Sequence, residues 1–262
     1  MARVLRGIAL ATVVLGGALW LAPALLLPGV ANRLLAADGL EIDFDGVRPA
    51  LPWGMTASKV VVARDEGRAE LTRLSARIGV SGVRVEAAVG PGTVLLKTRE
   101  LTLRGGLTLR GGWLRAQSVP IEAFAGLLPG ALALRGAVDG VYRLAERDSL
   151  EATVSRGAVT LNGPVVMDIP FAQLVIAAAR EDDGAWRMEF ADLRGPPLSG
   201  SAQGRVGTDG SLALRVEITQ LDEPARSALG MAGLPTGPLP IRAELRGTLE
   251  QPILVPLGAP AR

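Results

Sequence analysis

The side chains able to do chemistry are few, and two kinds are missing altogether. The 262-residue chain has no histidine and no cysteine. That excludes imidazole acid–base catalysis, Ser-His-Asp and Cys-His nucleophiles, thiolate chemistry, and metal centres that need nitrogen or sulfur ligands. Disulfides are excluded too, so the compartment's redox state leaves no mark on the sequence. Carboxylate chemistry, a Ser/Lys pair or a hard-cation site remain. The densest acidic group is Glu41, Asp43 and Asp45, alternating with Ile42 and Phe44. Alternation puts all three carboxylates on one strand face, where they could offer oxygens to calcium. Asp43-Phe44-Asp45-Gly46 is too closely spaced for a calcium loop, however, and a solvated acidic face is the expected role. Ser58 and Lys59 are sequential, so on a strand they point to opposite faces and form no dyad. Asp182-Asp183-Gly184 reads as a hairpin turn.

The remaining motifs resolve the same way. Gly105-Gly106 and Gly111-Gly112 precede no Gly-Lys-Ser/Thr and open no helix, so they are not phosphate loops. Arg104, Arg110 and Arg115 read as solvated strand edges that discourage aggregation, the alternative being a basic stripe for lipid phosphate or an acidic partner. Trp113 is the one aromatic residue among them, too little to give single-stranded nucleic acid its stacking surface. The sequence therefore predicts no catalytic, cofactor-binding or metal-binding residue. The expectation is a protein that is not an enzyme and does not bind nucleic acid.

The elements that carry these residues are built from aliphatic side chains. Hydrophobic residues make up 48% of the chain but aromatic ones only 3%, so Leu, Val, Ile and Ala must form the core. The 33 glycines and 18 prolines call for many turns, and the aliphatic content is too high for disorder. With 28 basic against 26 acidic residues, no polyanionic partner is implied.

Arg3 and Arg6 precede an uncharged run from Gly7 to Asn32. It is long enough to span a bilayer if Pro23 and Pro28 sit in its last turns or beyond, and Trp20 falls where an aromatic ring suits the headgroups. Basic residues before the run and Asp38 well after it leave the amino terminus in the cytoplasm and export the rest. The expected arrangement is a cytoplasmic stub and transmembrane anchor over residues 1–35. Ala22-Pro23-Ala24 keeps a cleaved signal peptide as the alternative.

Beyond residue 38 the period is two. Strands are expected over 40–45, 58–64, 68–78 (with a register break), 83–87, 131–144, 150–161, 173–180, 186–193, 198–206, 212–219 and 241–249. Leu101-Thr102-Leu103-Arg104 and Leu107-Thr108-Leu109-Arg110 are near copies separated by Gly-Gly, which suits short antiparallel strands. Proline and glycine punctuation marks two short helices, over 119–128 and 222–230. Val94-Leu95-Leu96, Val165-Val166-Met167 and the run Leu174 to Ala179 are apolar on both strand faces, which fits a sandwich core, a partner surface or a lipid-lined groove. The fold class is all-β: one exported domain over 36–257, a curved antiparallel sheet or sandwich. Leu134-Arg135-Gly136 and Leu245-Arg246-Gly247 hint at a weak duplication near 36–145 and 146–257. Residues 258–262 read as a disordered tail.

Pro49-Ala50-Leu51-Pro52-Trp53-Gly54-Met55 leads directly into a strand and resembles the Pro-Trp-Gly segment that opens the exported domain of the type II secretion system protein N family. Gly247-Thr248-Leu249-Glu250-Gln251-Pro252 resembles that family's terminal Gly-Thr-Leu-x-x-Pro element, and similar elements recur in the wider AsmA-like group of envelope proteins. The resemblance implies a non-enzymatic, single-pass inner-membrane accessory of type II protein secretion with a periplasmic β domain. Its partners would be other secretion-system envelope proteins, met by strand addition or apolar contact. The alternative is an AsmA-like protein that shields or transfers lipid in an apolar groove of a curved sheet. On this reading Pro52 fixes an extended entry, Trp53 plugs a sheet edge and Gly54 permits a tight bend.

Overall fold

The computed structural model describes residues 41–257 except 52, 65–66, 80–81, 99, 103–107, 128–131, 146, 162–166, 232–235 and 249–250. The expected anchor, the tail over 258–262, Pro52, Arg104, the Gly105-Gly106 pair and the Val165-Val166 stretch lie outside the described residues. Among the described residues no helix is long and apolar enough to cross a membrane. The protein is all-β and divides into two compact units at Gly112 and Trp113.

In the first unit, β1 (Glu41–Asp45), β3 (Gly54–Arg64), β4 (Gly67–Gly79), β5 (Gly82–Val89) and β6 (Gly92–Lys97) pair in that order, each antiparallel to the next. The short β2 (Arg48–Ala50) pairs with the opening residues of β3. Alternation explains the two faces. Met55, Ala76 and Val85 lie in one cross-strand row, with Phe44, Val47 and Leu74 packed around them. One residue over, Gly54, Arg77, Arg84 and Lys97 form a second row on the opposite face. The expected break in β4 is a register shift between Thr72 and Ser75, where Arg73 turns left-handed (φ 52°). The described parts of the repeated Leu-Thr-Leu-Arg segments lie in β7 (Glu100–Thr102) and β8 (Thr108–Arg110), which pair antiparallel with Leu101 opposite Leu109.

The second unit is one meandering sheet. Its strands are β9 (Gly112–Pro120), β10 (Leu132–Leu144), β11 (Ser149–Leu161), β12 (Met167–Arg180), β13 (Trp186–Arg194), β14 (Leu198–Val206), β15 (Leu212–Leu221), β16 (Ile241–Gly247) and β17 (Pro252–Pro256). They neighbour one another in chain order, and every registered pair from β10 to β17 is antiparallel. Tight connections gather at one end of these strands: 145–148, 181–185, 207–211 and 248–251. The two helical connections lie at the other end. A 3₁₀ helix (Ile121–Leu127) joins β9 to β10, and an α-helix (Glu223–Met231) joins β15 to β16.

Both helices were legible from their punctuation. The α-helix starts where Asp222 Oδ1 accepts the Ala225 amide at 2.8 Å, a side-chain cap followed by Glu223 and Pro224 in the first turn. The 3₁₀ helix starts two residues later than expected, because Val119 and Pro120 still belong to β9. At the last strand, the Leu257 amide donates to the Arg242 carbonyl at 3.0 Å. Antiparallel alternation therefore turns residues 253, 255 and 257 toward β16 and leaves 252, 254 and 256 facing the open edge.

Candidate functional site

Three neighbouring rows of side chains define the apolar face of the second unit. Following the register from strand to strand, the first is Val138, Val154, Leu174, Leu193, Gly200, Ile218 and Ile241. The second is Gly140, Ala152, Ile176, Ala191, Ala202, Val216, Ala243 and Pro256. The third is Tyr142, Leu150, Ala178, Met188, Gly204, Leu214, Leu245 and Leu254. No row contains a charged residue, although single strands alternate freely with charge. Paired residues point to the same side of a sheet, so the rows form one continuous surface.

Cover over this surface is uneven. Beneath the 3₁₀ helix, Ile121 packs on Val154 and Phe171, with Leu134, Val138, Val159, Leu174 and Leu193 around them. Beneath the α-helix, Ala225 and Leu229 pack on Ile218, Leu221 and Ile241. Both patches lie at the helical end of the strands. Along the middle row, Gly140, Ala152, Ile176, Ala191, Ala202 and Val216 are only half-buried. An apolar track thus runs across six strands beside two capped patches.

The opposite face is polar. Asp139, Thr153, Val175, Asp192, Ser201, Glu217 and Arg242 form its central row. Ion pairs lace it: Arg143 to Glu151 at 2.6 Å, Arg242 to Glu217 at 3.3 Å and Arg205 to Glu181 at 2.8 Å. Two shallow depressions of about 430 and 560 Å³ share the half-exposed Phe190 on this side. Their walls mix charges of both signs, with no convergent donor set.

At the tight-turn end, the Tyr142 hydroxyl donates to Asp148 Oδ2 at 2.8 Å, and Arg180 approaches the same carboxylate at 3.5 Å. Burial, then the hydrogen bond to Asp148, push the Tyr142 phenol up to about 12. Trp186 stands beside the Tyr142 ring with centroids 6.0 Å apart. This cluster staples the β10–β11 turn to the start of β13.

The residues singled out from sequence are dispersed. Glu41, Asp43 and Asp45 are exposed on one face of β1, as alternation requires, and among the described residues no acidic group is arranged to hold a metal. The Ser58 hydroxyl donates to the Asp45 carbonyl at 3.1 Å, whereas Lys59 reaches Glu70 at 2.7 Å, so the two side chains serve different neighbours. Asp182, Asp183 and Gly184 form the β12–β13 turn, with Gly184 at φ 87°. The Ala185 amide first, then Arg205, hold the Asp183 carboxyl below its ordinary range. Arg115 lies over the Trp113 ring at 5.2 Å. Trp53 corrects the sequence reading: it is 57% exposed and plugs no edge.

The track is not legible in the sequence of any one strand, because it belongs to none of them. It emerges only when register lines up one apolar residue from each of eight strands. Comparison with protein-family models, curated proteins and solved structures finds no match for this chain.

Proposed function

We propose that this protein is a non-enzymatic envelope component that shields an acyl chain along the apolar track of its second unit. The observation carrying this reading is the run of three uncharged rows across one sheet. A long hydrocarbon needs a long surface without polar interruptions, and burying it there gains about 0.8 kcal/mol per methylene. Within the second unit all described strands belong to a single sheet, so one face is not already spent on packing against a second sheet. The helices at one end give the track a floor and a stop. This favours the lipid-handling reading over a purely protein-docking accessory of type II secretion. The expected anchor in the inner membrane would keep the exported track beside its lipid source.

A photo-crosslinking residue at Ala202, midway along the track, tests the reading in the full chain expressed in its own envelope. An adduct carrying the mass of a fatty acid or phospholipid is expected, lost on Ile176→Glu while the melting temperature stays within a few degrees. Adducts with protein alone would transfer the face to a secretion partner.

A further inference from the structure

The first unit carries a different surface at the turn that joins β2 to β3. Leu51 is 71% exposed and Trp53 57% exposed. Two large apolar side chains held in water at a turn gain nothing for folding. Trp53 is fixed nonetheless, because its carbonyl accepts the Ile78 amide at 2.8 Å.

At the same end of the sheet, the row Gly54, Arg77, Arg84, Lys97 sets three cations on adjacent strands, all exposed. Like charges directly opposite one another in a sheet repel. Only Arg84 has a carboxylate partner among the described residues, Glu86 at 3.3 Å. Arg48 adds a further exposed cation at this end, opposite Thr56. The acidic side chains of β1 run from the middle to the far end of β3, with Asp45 opposite Lys59, Asp43 opposite Val61 and Glu41 opposite Ala63. Signs are mixed away from the turn, where Glu41 and Arg68 both stand opposite Ala63 and Lys59 pairs with Glu70, so the unbalanced row of cations is the one at the Leu51–Trp53 turn.

We infer that this turn is a membrane contact, in which Leu51 and Trp53 enter the interface of an anionic phospholipid leaflet and Arg77, Arg84 and Lys97 meet its phosphates. Tryptophan prefers the headgroup region, where its ring is half in hydrocarbon and half in water. Arginine and lysine lay their stems along apolar surface and extend their charge to phosphate. The negative potential of the leaflet offsets the mutual repulsion of the cationic row. The uncharged run ends at Asn32 and β1 begins at Glu41, leaving eight residues between. That length spans up to roughly 28 Å when extended, enough for the sheet to lie along a bilayer with the turn against it. The inference concerns the first unit and does not depend on the acyl-chain reading of the second.

The natural chain has no cysteine, so Leu51→Cys accepts one environment-sensitive fluorophore without background. The labelled full chain is mixed with vesicles of phosphatidylcholine, with or without phosphatidylglycerol, some carrying spin-labelled acyl chains as quenchers. Blue-shifted, lipid-quenched emission is expected only with phosphatidylglycerol. Each cation strengthens attraction to an anionic surface on the order of fivefold, so Arg77→Gln, Arg84→Gln and Lys97→Gln together should lower the docked-to-free ratio on the order of a hundredfold. A label at Asp209→Cys, in the polar β14–β15 turn, should remain in water throughout. The inference is overturned if the Leu51 label stays aqueous with anionic vesicles, if the triple variant docks as well as the parent, or if the label is shielded before any vesicle is added.

Discussion

On β15, Glu217 reaches Arg242 across the charged face, while Ile218, the next residue in the chain, packs beneath the α-helix against Ile241. Glu217 is in water and ion-paired at 3.3 Å; Ile218 retains 7% of its exposure. A similar contrast recurs on β11, where Thr153 is half-buried and Val154 is 2% exposed. A pleated strand separates two solvents by one residue, and eight strands in register turn that separation into two continuous surfaces. One surface gets its stability from removing hydrocarbon from water. The other gets little from its ion pairs and is kept soluble by them.

The sharpest way to break the contrast is to put a charge on the wrong face. Ile218→Asp strands a carboxylate under the α-helix without a partner, at a cost on the order of 5 kcal/mol, comparable with a whole domain's stability. Far-UV circular dichroism should show loss of sheet signal, whereas Glu217→Ile should leave it intact. Next in size is Phe171→Ala beneath the 3₁₀ helix, where Phe171 is 3% exposed and large-to-small changes cost about 3–5 kcal/mol. Urea unfolding would read that directly. Gly157→Val belongs to the same patch, since a Cβ there would sit 2.4 Å from the Phe171 ring and 2.3 Å from the Arg135 carbonyl.

Tyr142 tests the boundary between the faces. Its native pKa lies above the value of 10.0 for a free phenol, so the unfolded chain gives up that proton first as pH rises. The stability it contributes is intact below pH 10 and is lost as pH climbs to about 12. Tyr142→Phe should cost about 1 kcal/mol at neutral pH and flatten that alkaline decline, measured by thermal melts across the range. The smallest effect belongs to the charged face. Arg242→Ala, which removes an exposed pair, should shift stability by less than about 1 kcal/mol.

The sequence carried the strands and both helices because period-two alternation and proline–glycine punctuation are local. The copied Leu-Thr-Leu-Arg segments marked the antiparallel pairing of β7 with β8. Other features depend on partners distant in sequence. The break in β4 at Arg73 shows in the lapse of its alternation, but the left-handed Arg156 sits at an irregularity of β11 that no residue type announces. β2 and β17 escaped notice because they are short and carry prolines. The Pro-Trp-Gly resemblance makes Trp53 a plug, and only geometry reveals how little covers it. The apolar track is the clearest case: its members Gly140, Ala191 and Ala202 are unremarkable singly and acquire meaning from register.

The last strand has a consequence for how molecules of this protein meet one another. Its open edge presents positions 252, 254 and 256, and two of these are proline, which has no amide hydrogen. Leu254 is left as the sole backbone donor along that margin. A ribbon approaching from solution would find one hydrogen to bind where an ordinary border offers three. β17 thus works as a selvedge, a finished border that keeps one molecule's weave from being continued by the next, even at concentrations where unfinished sheets knit into fibres.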